Sequence, residues 1–139
     1  TWLVQRPEHE AAFGDVQGFF DRSLYADLES AETVILDGDH DVFGDGTVVI
    51  KSAPGHTPGH QVLFVNLSDP GPIVLSGDLY HFPESRLLKR VPTFNFDEAQ
   101  TIESMDLVED FLSETGARLW IEHDSADYAR LEKSPQYYE

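Results

Sequence analysis

A short turn in the middle of the chain carries two histidines. Residues 53–60 read Ala-Pro-Gly-His-Thr-Pro-Gly-His between two apolar runs, and this density of proline and glycine predicts a tight turn that fixes the direction of each imidazole. Neutral imidazole is the commonest metal ligand, and a ligand on a rigid turn loses little entropy when an ion binds. Taken singly, His56 and His60 are more simply hydrogen-bonded turn residues, so the case for a metal depends on further donors elsewhere in the chain.

Two later strands end in further candidate ligands. The apolar run Ile73–Leu75 is followed by Ser-Gly-Asp78, and the run that contains Trp120 is followed by His123 between two carboxylates. An aspartate at a strand end is usually a turn or cap residue. Two imidazoles and a carboxylate at the ends of different strands nevertheless form the donor set of a zinc or iron hydrolase. We therefore predict that His56, Asp78 and His123 converge.

The elements that must position these residues are mainly strands. Alternating or β-branched apolar runs predict strands at Thr1–Gln5, Thr33–Leu36, Thr47–Ser52, Gln61–Leu67, Pro72–Ser76 and Leu119–Ile121. A stretch rich in Asp and Gly joins the second of these strands to the third. We expect these two strands to pair as a hairpin within a mostly antiparallel sheet.

Helical patterns occupy the remaining apolar stretches. The strongest begins at Asp97, an N-cap residue with Gln100 three positions later, and ends at Gly116. Apolar residues between these limits follow one face. Shorter helices are predicted at Glu8–Ala12 and Ala126–Lys133, and a short helix within the loop Gly14–Ala31.

Length and charge exclude several classes of function. A chain of 139 residues fits one domain. Its 9 Lys and Arg against 26 Asp and Glu give a net charge of −17, which repels a nucleic acid or an anionic membrane surface. No apolar run approaches the ~20 residues of a membrane span. Because there is no cysteine, any metal must bind histidine and carboxylate side chains. The absence of cysteine does not determine the cellular compartment, for which the cytoplasm is the favoured expectation.

The motif Ala-Pro-Gly-His-Thr-Pro-Gly-His, followed by Leu-Ser-Gly-Asp78 and a strand that ends near His123, resembles the second half of the metallo-β-lactamase superfamily. The likeness is greatest to its N-acyl-homoserine-lactonase-like hydrolases. It implies an α+β fold, the αββα sandwich, of which residues 1–139 are the C-terminal portion of a single domain. It also implies that two divalent ions bind, with zinc expected and iron or manganese as alternatives.

By this resemblance His56 is a ligand of the first metal, Asp78 bridges both metals and His123 is a ligand of the second, with His60 in support. Lactonases of the family often carry a tyrosine three residues after the bridging aspartate that helps to polarise the substrate carbonyl. Here that place is taken by His81, and Tyr80 precedes it. Asp78, Tyr80 and His81 are therefore the candidate catalytic residues, with a plain packing role as the alternative for Tyr80.

The resemblance implies a metal-dependent hydrolase that acts on a lactone or another ester-like bond through a metal-bound hydroxide. The partner is then a small ester-like molecule, whose acyl chain we expect to contact the aromatic residues Phe19, Phe20 and Tyr25. The alternative is a non-catalytic half-domain that serves as a structural or interaction partner.

One motif of the family is missing from the chain. The His-x-His-x-Asp-His motif supplies its other ligands, whereas the six histidines here include no His-x-His pair, and His9 and His40 lack the required spacing. We expect the N-terminal half to be a separate chain, a cleaved segment or lost. The chain alone is then expected to be inactive and to expose an apolar sheet face, covered by that half or by a homo-oligomer.

Overall fold

A five-stranded sheet lies at the centre of the structure, a computed structural model that describes residues 1–14 and 21–139. The strands in chain order are β1 (Trp2–Gln5), β2 (Thr33–Leu36), β3 (His40–Asp41), β4 (Val48–Ser52), β5 (Gln61–Asn66), β6 (Pro72–Leu75) and β7 (Arg118–Trp120). The helices are α1 (Arg6–Phe13), α2 (Pro83–Leu88), α3 (Glu98–Thr115) and α4 (Ser125–Arg130). Short 3₁₀ turns cover Arg22–Leu24, Ala26–Ser30 and Gly77–Leu79.

The five-stranded sheet has the order β3-β4-β5-β6-β7. The first four strands pair antiparallel, as predicted, and β7 joins β6 in parallel. The parallel strand arrives by way of α3, because a parallel neighbour needs a long crossover connection. This crossover brings the end of β7 beside the end of β6, and both ends carry predicted ligands.

The predicted hairpin between β2 and β4 is wrong. Strand β2 instead pairs in parallel with β1, from Trp2 opposite Thr33 to Gln5 opposite Leu36, as a separate two-stranded sheet. Helix α1 lies in the connection between these two strands and contacts both of them. Strand β4 is paired on both sides, since β3 forms within the Asp- and Gly-rich connection and takes the edge position.

Helix α3 has the ends that the sequence predicts. The side chain of Asp97 accepts a hydrogen bond from the backbone N–H of Gln100, and Gly116 closes the helix with φ of 68°. The buried residues of the helix pack against one face of the sheet in a core that includes Val62, Phe64, Val74, Met105, Val108 and Leu112. Burial of each such side chain contributes about 1.5–3 kcal/mol, so this layer holds α3 on the sheet.

The other sheet face is less exposed than expected. Ile50 and Ile73 on this face are buried, and Leu63, Val65 and Leu75 are half-buried. The C-terminal segment covers part of it, because Tyr138 packs edge-on against Trp120 at 5.1 Å and the backbone of Glu139 exchanges two hydrogen bonds with Asp69. Among the described residues, most large exposed apolar side chains lie on helices and loops, for example Phe82, Leu87, Phe94 and Leu107, while Val34 lies on β2.

Helix α2 was not predicted from the sequence. Phe82 is extended, Pro83 begins the helix, and Lys89 ends it in the left-handed region with φ of 47°. Arg86 of this helix makes a two-pronged ion pair with Glu109 of α3, with distances of 2.6 and 2.7 Å. This contact holds α2 against α3 beside the end of β6.

The predicted closing helix is α4, which ends at Arg130, and the last strand begins one residue earlier than predicted. Within residues 1–14 and 21–139, no helix combines the length and hydropathy that a membrane crossing requires.

Candidate metal centre

The turn at residues 53–60 is fastened at its base and to α3. The backbone N–H of Ala53 donates to the carbonyl of His60 at 2.9 Å, which closes the turn. The hydroxyl of Ser104 on α3 donates to the carbonyl of Pro54 at 2.7 Å. The backbone N–H of Gly59 donates to a carboxylate oxygen of Glu8 on α1 at 2.7 Å. Helices α1 and α3 therefore both hold the turn, as a rigid ligand loop requires.

Gly55 allows this turn to approach α3 closely. Its φ is +128°, and a Cβ at this position would lie 2.3 Å from both the backbone nitrogen and the hydroxyl of Thr101. Only glycine fits both the backbone conformation and the space.

We expect Gly55→Ala to lower the free energy of unfolding by about 2–4 kcal/mol, since it adds backbone strain to a clash in a packed region. Gly71→Ala is the matched control, because Gly71 also has a positive φ of +95° but nothing within 4 Å of an added Cβ. Urea denaturation of both variants measures the difference. Equal losses for the two variants would contradict the close packing of the turn on α3.

His56 is buried, with 8% of its surface exposed, and its ring has a defined orientation. Asn95 holds it, since the amide nitrogen of Asn95 donates to the carbonyl of Gly55 and to the hydroxyl of Thr101, which leaves the amide oxygen to accept from His56 Nδ1 at 3.3 Å. The other ring nitrogen, Nε2, points toward Asp78 and lies 3.4 Å from its Oδ2. Orientation of a ligand imidazole through its other nitrogen is typical of metal sites.

His60 fixes the backbone of Asp78. Its Nδ1–H donates to the carbonyl of Ala53 at 3.0 Å, and its Nε2 accepts the backbone N–H of Asp78 at 2.9 Å. Burial lowers the pKa of His60 to about 4, partly opposed by its bond to Ala53, so the ring is neutral and able to accept. Both nitrogens are used, so His60 orients Asp78 and is not itself a free donor to an ion.

Asp78 lies between two imidazoles from different parts of the chain. Its Oδ2 faces His56, and its Oδ1 lies 2.6 Å from Nε2 of His123, which follows β7. Burial raises the pKa of the Asp78 carboxyl, but the hydrogen bond from His123 and the nearby imidazoles outweigh it, so the pKa is below its ordinary value. The carboxylate is thus ionised at neutral pH, with one oxygen toward each imidazole.

His81 lies in the same cluster, where its imidazole stacks on His123 at 5.2 Å and 11° and contacts His56 at 5.2 Å. One donor atom from each of His56, Asp78 and His81 lies within 4.8 Å of the other two. Burial lowers the pKa of His81, so its ring is neutral at pH 7.

Tyr80 does not face this cluster, which corrects its assignment as a candidate catalytic residue. Only 1% of its surface is exposed, and its hydroxyl donates to Glu109 at 3.0 Å or to the carbonyl of Met105 at 3.2 Å, both on α3. Burial, reinforced by the Glu109 charge, raises the pKa of Tyr80 well above its usual value. Adjacent residues beyond Asp78 point to opposite sides, so Tyr80 packs in the core while His81 reaches the site.

The sequence predicts that Phe19, Phe20 and Tyr25 contact an acyl chain. Phe19 and Phe20 lie outside the described residues, and Tyr25 packs against Phe13 of α1 at 5.6 Å. Phe94 is an aromatic residue at the site, since its ring contacts His56 at 6.0 Å and His81 at 5.9 Å while 65% of its surface is exposed.

Sequence reasoning missed both Phe94 and Asn95. The only nearby signal is the N-cap Asp97, whose backbone N–H donates to the carbonyl of Gly55 and so brings this segment to the turn.

A cleft of about 320 Å³ opens beside these residues and is lined by Trp2, Leu3, Val4, Glu8, His56, Thr57, Gly59, His60, Gln61 and Asp78. One wall comes from β1 and α1 and the other from the histidine turn. Asp78 and His56 therefore face an open space that another segment or a ligand can enter.

No family model matches the chain. The N-acyl homoserine lactonase AttM of Azorhizobium caulinodans is 31% identical over 148 residues, which covers 100% of this chain and 55% of that lactonase. A solved N-acyl homoserine lactone hydrolase, with the product N-hexanoyl-L-homoserine at its catalytic metal centre, has a TM-score of 0.84 at 26% identity, over 99% of this chain and 52% of that protein.

A second solved structure, the dizinc quorum-quenching lactonase AidC, has a TM-score of 0.58 at 17% identity over 87% of this chain and 47% of that protein, a likeness of fold alone. The chain spans about half the length of the curated relatives it matches.

Proposed function

Since the chain has the sequence and the fold of the C-terminal half of N-acyl-homoserine-lactonase-like members of the metallo-β-lactamase superfamily, we propose that it is one half of a metal-dependent hydrolase. The complete protein opens a lactone or cleaves a similar ester bond. Residues 1–139 supply the C-terminal portion of its single domain, and the other half supplies the remaining metal ligands.

One observation carries this proposal: the two oxygens of Asp78 each face a different imidazole, His56 at 3.4 Å and His123 at 2.6 Å. This donor set suits a carboxylate that bridges two divalent ions, with one imidazole for each ion. Zinc fits it best, because zinc favours imidazole and carboxylate ligands, and iron or manganese are alternatives. Bound ions supply Lewis acidity toward the carbonyl oxygen and lower the pKa of water toward neutrality.

The residues of this chain position those donors. Asn95 turns His56 so that Nε2 points at Asp78, and His60 holds the backbone of Asp78. Asp78 remains ionised, because the hydrogen bond from His123 and the nearby imidazoles keep its pKa below the ordinary value, so both of its oxygens would be available to hold cations. Because the turn and the strand ends are held by the sheet and α3, the donors lose little entropy on binding.

A neutral substrate fits the charge of the protein. A net charge of −17 repels anionic substrates such as phosphodiesters, whereas a neutral lactone or ester is unaffected. The exposed ring of Phe94 beside His56 and His81 offers an apolar contact next to the reacting bond. The named lactonase relatives favour an acyl homoserine lactone within this class.

The rival function is a non-catalytic half-domain whose three ligands serve folding or one weakly held ion. Chelation separates the two. We expect the complete protein to open an N-acyl homoserine lactone ring, to lose this activity after the metal is removed with a chelator, and to regain it when zinc is added.

The measurement is the acid released on ring opening, with a thioester and a phosphodiester as parallel substrates. Activity that survives complete removal of the metal would contradict the metal-dependent mechanism. Two bound ions without hydrolysis of any ester-like substrate would establish the rival.

A further inference from the structure

We propose that His81 is a metal ligand that completes, with His56 and Asp78, a three-donor site for one divalent transition-metal ion within this chain. The proposal rests on the proposed function only for the presence of an ion. It makes a metal ligand of His81, which takes the place where lactonases of the family often carry a tyrosine that contacts the substrate carbonyl.

The distances place His81 within reach of a shared ion. Two atoms that each lie about 2.0–2.2 Å from one ion are at most about 4.4 Å apart. The donor atoms of His56, Asp78 and His81 already lie within 4.8 Å of one another. Modest side-chain shifts therefore bring all three donors to bonding distance of one ion.

The hydrogen bonds leave His81 free for this role. His60 uses both ring nitrogens on protein groups, and His56 uses Nδ1 on Asn95. Within residues 1–14 and 21–139, neither nitrogen of His81 has a protein hydrogen-bond partner. Its ring is nevertheless fixed by stacking on His123 and by contact with Phe94, so a free lone pair is held in a defined direction.

The number and type of donors support the assignment. Three protein ligands from His and carboxylate are usual for a catalytic zinc, with a fourth position left for water or substrate. By the resemblance, His56 is the one imidazole of this chain that binds the first ion. His81 adds a second imidazole to that ion. The half described here then holds an ion with its own residues before the other half contributes any.

The substitution His81→Cys tests this contact directly, because the chain contains no cysteine of its own. The complete protein is stripped of metal and loaded with cobalt(II) as the spectroscopic probe. In His81→Cys we expect a sulfur-to-cobalt charge-transfer band, since a ligand thiol is deprotonated by the ion. His40→Cys is the matched control, because His40 is also half-buried but lies on the edge strand β3, and it should give no band.

His81→Gln provides the second readout, the dissociation constant for zinc measured by competition with a chromophoric chelator. We expect the zinc affinity of His81→Gln to fall by at least ~10-fold, since loss of a residue that only hydrogen-bonds to a metal ligand typically lowers affinity 10–100-fold. His40→Gln is the control and should leave the zinc affinity unchanged. Circular dichroism checks that each variant is folded.

The absence of a charge-transfer band in folded His81→Cys, or unchanged zinc affinity in His81→Gln, would overturn the assignment. An increase in KM without any loss of metal would instead make His81 a substrate contact. A band in His81→Cys, together with no lactone hydrolysis by the unsubstituted zinc-loaded protein, would support His81 as a ligand and count against the proposed function, so the two failures are distinguishable.

Discussion

Replacing Asp78 by asparagine in the complete protein is expected to lower kcat/KM for lactone hydrolysis by about three orders of magnitude or more. The two oxygens of Asp78 face two different imidazoles, and an asparagine, which keeps one oxygen and no charge, could not bridge both proposed ions. Loss of a bridge between the ions removes several kcal/mol of transition-state stabilisation. Since about 1.4 kcal/mol corresponds to a tenfold change in rate, kcat/KM falls by several orders of magnitude. Steady-state kinetics at saturating zinc measure it.

The matched control for this substitution is Asp110→Asn on the exposed side of α3. It removes the same charge away from the cluster and should leave kcat/KM within about twofold, as is usual for surface substitutions. A folded Asp78→Asn protein with nearly full activity would contradict the bridging role, whatever its metal content.

The second large effect concerns the missing half. By itself the 139-residue chain should show no detectable hydrolysis, and mixing it with the half that carries His-x-His-x-Asp-His should restore turnover. Alone, the chain offers one or two imidazoles beside each oxygen of Asp78 but lacks the His-x-His-x-Asp-His ligands that the resemblance assigns to the two-ion centre, which costs several kcal/mol of transition-state stabilisation. Activity at increasing concentrations of the second half measures the effect and gives the affinity between the halves.

The control mixes the same second half with chains that carry Asp78→Asn. This pair should associate but remain inactive, because Asp78 does not lie in the sheet core that holds the fold. Full activity of the unsubstituted chain without any partner would show that one ion held by residues 1–139 is sufficient, and the two-ion mechanism would then be wrong.

Local sequence signals predicted α3 and the strand ends because each signal acts within a few residues. Asp97 and Gly116 cap the helix through their own backbone neighbours, so their positions alone define it. The sequence also predicted that His56, Asp78 and His123 converge, and the structure brings them together because β6 and β7 are parallel neighbours. Their role as metal ligands stays a prediction.

The features that sequence did not predict depend on distant partners. The pairing of β2 with β1 is decided by the crossover through α1, which no alternation within β2 encodes. Tyr80 and His81 are adjacent and both plausible at an active site. Tyr80 instead packs in the core, where its hydroxyl has hydrogen-bond partners on α3, the carboxylate of Glu109 and the carbonyl of Met105. Asn95 acts on His56 across 39 positions in the chain, and an isolated asparagine carries no signal for that role.

The position of bound metal in crystals of the complete protein tests the central claim most directly. Anomalous scattering at the zinc edge should give two peaks that share Asp78, one within about 2.0–2.2 Å of His56 and the other equally close to His123. Peaks that leave Asp78 without contact, or a zinc-loaded active protein with no peak at either imidazole, would contradict it.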